Sequence, residues 1–309
     1  MTDQNPQKAN QNPELPLPSR VGAGERARVV PRHLPSSIAI YAGYIVVSVI
    51  FLFPLLWVAS LSLRPMAELF AFPPHLIPQH PTFGAYSDVL TNSPLALYLL
   101  NSVKLVSATV LCALAIAVPS AYALSRLRFR RPTLKSLVML GMLAVQLISP
   151  LVTALPLYRW FSALGLINSH AALILVYVAL SAPFATWMLT GFLDTVPLAL
   201  DEAARIDGCT RLQSLLRVLL PVMLPGLAST AILLAISSWG QFIVPFVLLT
   251  RSDLYPVSVG ILDYQSSSDS VSTHLLAAAA ILSALPAMAT FIVLQRFIVG
   301  ALTAGAVKG

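Results

Sequence analysis

Six stretches of this chain stay apolar for about 20 residues or more, approximately Ile38–Ser62, Leu99–Leu124, Leu137–Leu157, Ala171–Leu193, Val222–Leu249 and Leu275–Val299. A helix needs about 20 such residues to cross a hydrocarbon core, and lipid offers no water to satisfy an unpaired backbone, so runs of this length fold as spanning helices. The reading is an all-α polytopic membrane protein with six transmembrane helices. Composition agrees: 57% of residues are hydrophobic, 10% are charged and mean hydropathy is +0.80, outside the range of soluble domains. The first run is too long and too far from the start, with no small-residue cleavage site after it, to be a removable signal peptide. Residues 1–36 are polar and carry prolines at 6, 13, 16, 18, 31 and 35, which predicts a disordered tail. The remaining organisation is a six-helix domain over 37–299 and a short tail over 300–309.

Six spans place both ends of the chain on one side, so the loops fall into two sets. One set holds Lys8, Arg20, Arg26, Arg28 and Arg32 of the tail, Arg126, Arg128, Arg130, Arg131 and Lys135 of the second connection, Arg205, Arg211 and Arg217 of the fourth, and Arg296 and Lys308. The other holds Arg64, Arg159 and Arg251, with Lys104 near a span end. The positive-inside rule then predicts that both termini are cytoplasmic. Net charge of +7 is explained by this bias, so nucleic-acid binding is not implied. Cys112 and Cys209 offer neither a disulfide framework nor metal spacing and read as small space-fillers.

The fourth connection, 194–221, is the long charged stretch of the second half, "LDEAARIDGCTRLQSLLRVLLP" from Leu200 to Pro221. Pro197 suits a first helical turn, Asp201 and Glu202 lie where the positive end of the helix dipole favours carboxylates, and Gly208 suits the end. Thr210 with Gln213 three residues on forms a capping-box pattern, and Pro221 marks the junction with the next span. Two short helices hinged at Gly208 are therefore expected. A helix of about ten residues is not stable alone in water, so it must pack on something. Ala203 and Ala204 permit close approach, with Glu202, Arg205 and Asp207 available for charged contacts around them. A solvated loop whose charges keep it out of the membrane is the competing reading.

"EAARIDG", followed after eleven residues by "LP", resembles the EAA loop of ATP-binding-cassette importer permeases, whose Glu, Ala, Ala and Gly form a coupling helix. "LLNSV" at 99–103, "LGLINSHAALIL" at 164–175 and "SSWGQFIVPFVLL" at 237–249 resemble carbohydrate-type permeases, and "QRFIVGALTAGAVKG" is similar to the C-terminus of the maltose-type subunit that carries a tail. The resemblance covers 38–309 and implies the type I, MetI-like importer permease fold. It implies an inner-membrane subunit of a bacterial sugar importer, for di- or oligosaccharides. The implied partners are a second permease chain forming a heterodimer, a dimer of ATP-binding subunits and an external sugar-binding protein. ATP and Mg belong to the ATPase partners, and no cofactor or metal is expected on this chain. Glu202, Ala203, Ala204, Asp207, Gly208 and Pro221 would couple to the ATPase, and Thr303, Ala304, Gly305 and Val307 of the tail would reach into it. Gln241 stands where many relatives have an acidic residue, and Cys209 replaces a common Ala.

Two other classes compete. A secondary transporter carries ionisable groups deep in its spans; here only Lys104 is a candidate, and it can snorkel to the interface. A membrane enzyme needs a catalytic constellation, but His33, His75, His80, His170 and His274 are scattered over tails and loop edges without ligand spacing. The chain has no glycine-rich phosphate loop and is expected not to be an enzyme. Asn101, Asn168, Trp239 and Gln241, together with Tyr98 and Trp187, are of the type that stacks on and hydrogen-bonds sugars, while aromatics near span ends also serve as interfacial anchors. The proline- and aromatic-rich segment from Arg64 to Pro94 either touches a binding protein or covers a partner permease.

Overall fold

The computed structural model describes residues 34–69, 75–127, 132–266 and 273–306, with side chains described over 40–69, 75–127, 133–264 and 273–292. The expected disorder of 1–36 lies outside the described residues except at 34–36, where the chain is already helical. Helix α1 (Leu34–Ser62) starts there, because Pro35 falls in a first turn, where its missing N–H is no loss. The chain divides into two compact units, Met1–Phe51 and Leu52–Gly309, with the division inside α1. Every side chain described in the first unit, from Ile40 to Phe51, is exposed. Such a surface suits lipid, which is as apolar as the side chains themselves.

The second unit holds α2 (Gly84–Thr91), α3 (Leu95–Arg126), α4 (Pro132–Val145), α5 (Pro150–Ala163), α6 (His170–Asp194), α7 (Leu198–Ile206), α8 (Arg211–Val222), α9 (Leu224–Trp239), α10 (Ile243–Leu248) and α11 (Thr273–Ala306). Among the described residues four helices, α1, α3, α6 and α11, are long and apolar enough to cross a membrane unaided. The third apolar run, expected as a single span, is broken, and the fifth is divided at residues 240–242 into α9 and α10, with a further bend at its entry from α8. Thr133–Val145 meets α5 at 86° and α8 meets α9 at 80°, so the count reaches six if each bent pair crosses once. The two bends fall just before Pro150 and Pro225, each at the start of a helix, consistent with proline's lack of a donor and its restriction of the preceding residue. Pro119 and Pro183, by contrast, lie inside unbroken helices.

α3 and α6 form the spine. Ala113, Ala117 and Ala121 recur every four residues on α3 and are fully buried in one cluster with Ala182, Ala185 and Leu189 of α6. Small residues at that spacing let two backbones approach closely, which is how helices associate where no hydrophobic effect drives them together. Val196, Leu215, Leu219 and Met223 extend this cluster toward α7 and α8. Near the opposite end, Leu105, Phe161, Tyr177, Val244 and Leu248 join α3, α5, α6 and α10.

Candidate functional site

The end of α7 and the start of the next helix are fixed by hydrogen bonds that the sequence encodes locally. α7 ends in a Schellman motif: the Gly208 N–H donates to the Arg205 carbonyl at 3.1 Å and the Cys209 N–H to the Ala204 carbonyl at 3.0 Å. Gly208 itself has φ +82°, the left-handed conformation that glycine adopts without strain. The next helix opens on a capping box, in which the Thr210 N–H donates to Gln213 Oε1 at 2.9 Å and the Gln213 N–H to Thr210 Oγ1 at 3.3 Å. The turn between α7 and α8 is thereby fixed, with Pro221 exposed near the end of α8. Ser214–Leu219 forms a π-helical turn within α8, and Leu215 and Leu219 point from it into the spine.

The two alanines of α7 face opposite ways. Ala204 is buried with Asp201 against the chain's own core, whereas Glu202, Ala203, Arg205, Asp207 and Gly208 are exposed and Ile206 is 87% exposed. An isoleucine that open beside a bare Cβ and a carboxylate is a contact patch without a partner among the described residues. The sequence reading placed both alanines on that patch; only Ala203 is on it, since residues 201 and 204 share the inward face at helical spacing.

Below the patch, side chains tie α7 to two helices, α3 and α8, and the end of α6 to α3 and α4. Ser214 Oγ donates to Asp201 Oδ1 at 2.5 Å, and the Tyr122 hydroxyl of α3 stands 3.4 Å and 3.5 Å from the two Asp201 oxygens. Ser125 donates to Asp194 Oδ1 at 2.5 Å, and Lys135 reaches Asp194 Oδ2 at 3.3 Å. Arg126 donates to the Leu193 and Val196 carbonyls at 3.1 Å and 2.8 Å, closing the end of α6. Sequence reasoning missed Asp201, Tyr122 and Ser214 as a group, because the partners lie 79 and 13 residues from Asp201 and no local pattern links them.

The sugar-type candidates at the other end of the spine are not gathered into one site. Asn101 is buried, and its Nδ2 donates to the Asp253 and Tyr255 carbonyls at 2.9 Å and 3.1 Å. Asn168, at φ 59°, accepts through Oδ1 from the Thr250 and Arg251 N–H groups at 2.6 Å and 3.1 Å. Tyr98 donates to Asp263 at 2.5 Å with its ring against Gly260. Trp239 lines a small cavity of about 100 Å³ with Val103, Ser107, Pro286 and Thr290. Gln241 is half-buried and its carbonyl accepts from Ser258 at 2.7 Å.

In the segment from Arg64 to Pro94, Arg64 is buried under its own contacts. Its guanidinium donates to the His75 carbonyl and, at 3.1 Å, to Ser60 Oγ, and lies 5.4 Å from the Trp57 ring centre. Glu68 accepts from the Gln79 and His80 N–H groups, which holds its carboxyl below the usual range. Thr303, Ala304 and Gly305 lie in the last turns of α11, and Val307 lies outside the described residues. Among the described residues no group of His, Cys, Asp or Glu is arranged to hold a metal ion.

Residues 110–303 match the family described as binding-protein-dependent transport system inner membrane component. The sulfoquinovosyl glycerol transport system permease SmoH of Agrobacterium fabrum is 35% identical over 84% of this chain and 89% of its own. The trehalose/maltose transport system permease MalG of Thermococcus litoralis is 32% identical over 88% of this chain and 97% of its own. In fold, the chain is similar to a chain of a bacterial importer of the acidic polysaccharide alginate, with a TM-score of 0.74 at 21% identity over 85% of this chain and 96% of that one.

Proposed function

Because this chain belongs to the binding-protein-dependent transport system inner membrane component family, the permease subunits of ATP-binding-cassette importers, we propose that it forms half of the translocation path for a di- or oligosaccharide. As a permease it is a transport subunit and not an enzyme. The sugar class rests on relatives whose names specify trehalose/maltose, galactooligosaccharides and sulfoquinovosyl glycerol, each covering more than four-fifths of this chain.

The observation that carries the mechanism is the outward face of α7. Glu202, Ala203 and Ile206 stand open on a helix whose other face is anchored and whose end is fixed by Gly208. This face docks on one of two ATP-binding subunits, which hold ATP and Mg; a second permease chain completes the path and an external binding protein delivers the sugar. Closure of the ATPase pair then moves α7 and with it the spans. ATP drives the transition only through its different affinity for the two states.

The distribution of Lys and Arg supports cytoplasmic termini, and the similarity of the last residues to a maltose-type tail supports their insertion between the ATPase chains. Trp239, beside its cavity, is the substrate-path residue with the most support. Asn101 and Asn168 have their hydrogen-bonding groups engaged within the chain.

Uptake of radiolabelled mono- and disaccharides by cells lacking and then regaining this chain tests the substrate class. Restored uptake of a di- or oligosaccharide is expected; restoration of a non-sugar solute alone rejects it. Single cysteines at Ser19 and Ser267 test orientation: an impermeant thiol reagent should label only Ser267→Cys in intact cells, and the reverse pattern inverts the topology. Deleting 303–309 should weaken ATPase association while insertion persists; unchanged transport and ATPase stimulation reject the tail's role.

A further inference from the structure

Asp201 sits one residue before the docking patch but faces the other way. It is 9% exposed, and its carboxylate is met by two hydroxyls from two different helices, Ser214 of α8 and Tyr122 of α3. Among the described residues no Lys, Arg or His pairs with it. A buried carboxylate without a cation depends on those hydroxyls for its solvation, so both are drawn toward α7. Ser214 also opens the π-helical turn, which leads through the bend at Met223 into α9. Tyr122 lies on the face of α3 that packs in the spine with α6.

We propose that Asp201 is the positioning residue that transmits movement of α7 to the spans, through Ser214 into α8 and α9 and through Tyr122 into α3. The inference rests on the docking role of α7's outward face and adds what lies behind it. The 2.5 Å contact to Ser214 is the firm arm; the Tyr122 hydroxyl, 3.4 Å and 3.5 Å from the two oxygens, is the slack one. Removing the Ser214 arm therefore has the larger effect.

The test uses the assembled importer, with its ATPase subunits and binding protein, in proteoliposomes, reading ATPase retention, ATP hydrolysis and sugar uptake together. Asp201→Ala should keep its ATPase subunits and hydrolysis while uptake per ATP falls about tenfold, equivalent to about 1.4 kcal/mol of coupling. Asp201→Asn, which still offers one acceptor oxygen, should recover part of that loss. Ser214→Ala should lose more than Tyr122→Phe, and adding Tyr122→Phe to Asp201→Ala should change nothing further, because the two act through one contact. Tyr122→Phe removes a single hydroxyl and guards against a folding artefact. Unchanged uptake per ATP in Asp201→Ala overturns the inference, as does a parallel fall of uptake and hydrolysis in every variant. Ala203→Leu in the same assay separates the two readings. If it keeps its ATPase subunits, the docking role fails. If it loses them while the Asp201 variants stay fully coupled, only the present inference fails.

Discussion

The two ends of α3 use their polar residues alike, yet the loops they hold differ in what is left facing outward. At one end Tyr98, Asn101 and Ser102 bind the 253–263 segment, through Asp263, two carbonyls and the Val257 N–H. At the other end Tyr122, Ser125 and Arg126 bind the 193–201 segment. In the first case Val257, Val259 and Gly260 of the captured segment are buried, and the contact seals that end of the helix. In the second the captured segment continues into α7, whose outward face remains open. Anchoring a loop and presenting a surface are thus separate properties. α7, with its buried and bare faces alternating at helical spacing, combines both.

Substitutions on the open face should act on transport rather than on folding, and the largest effects belong there. Ala203→Leu places a larger side chain on the docking patch, and Gly208→Val forces a β-branched residue into a left-handed conformation at about 1–2 kcal/mol. Beyond its own chain neighbours nothing lies within 4 Å of a Cβ at Gly208, so that penalty comes from the local backbone conformation and not from packing. Uptake should fall at least about tenfold in each, on the scale of about 1.4 kcal/mol per decade, with membrane insertion unchanged. Normal uptake in both would leave α7 a solvated loop.

The sealed end should behave in the opposite way. A Cβ at Gly260 would come within 2.1 Å of the Tyr98 ring, which the bond to Asp263 keeps in place. Gly260→Ala should cost about 1–3 kcal/mol of stability through overpacking. It should lower Tm in detergent while uptake per folded molecule stays constant. A loss of uptake without loss of Tm would make this end functional and erase the contrast.

Two smaller effects sharpen the boundary. Glu202→Ala removes one charged contact and a helix-dipole contribution of about 0.3–1 kcal/mol, so uptake should drop about two- to fivefold with the loop intact. Arg251→Ala breaks the exposed pair with Asp253, whose side chains are 64% and 51% open. Its effect on Tm should correspond to less than about 1 kcal/mol.

What the amino-acid sequence disclosed was local. Gly208, Thr210 and Gln213 announce the ends of α7 and α8, because caps involve residues within a few positions of one another. The six apolar runs announce the spanning helices for the same reason. The breaks are different: Pro54, Pro119, Pro183 and Pro286 lie inside continuous helices, while the third run breaks ahead of Pro150 and the entry from α8 into the fifth run bends ahead of Pro225. At Pro119 the flanking Ala117 and Ala121 are fully buried in the spine, and that packing offsets the lost hydrogen bond; it is invisible to a single segment. Asn101 looked like a sugar ligand because its carbonyl partners are more than 150 residues away. Ala204 looked like a docking residue because an alanine pair in a sequence does not say which member faces in.

The central claim, that the open face of α7 is covered by an ATPase subunit, is tested most directly at Ile206. In a background with Cys112 and Cys209 replaced by alanine, Ile206→Cys gives one thiol at a patch residue that is 87% exposed. Its labelling rate by an impermeant thiol reagent is measured in inside-out vesicles with and without the ATPase subunits. The account predicts rapid labelling of the permease alone and protection by about tenfold or more on assembly, as for a side chain entering an interface core. Equal labelling in the two states, with the ATPase demonstrably bound, would contradict it.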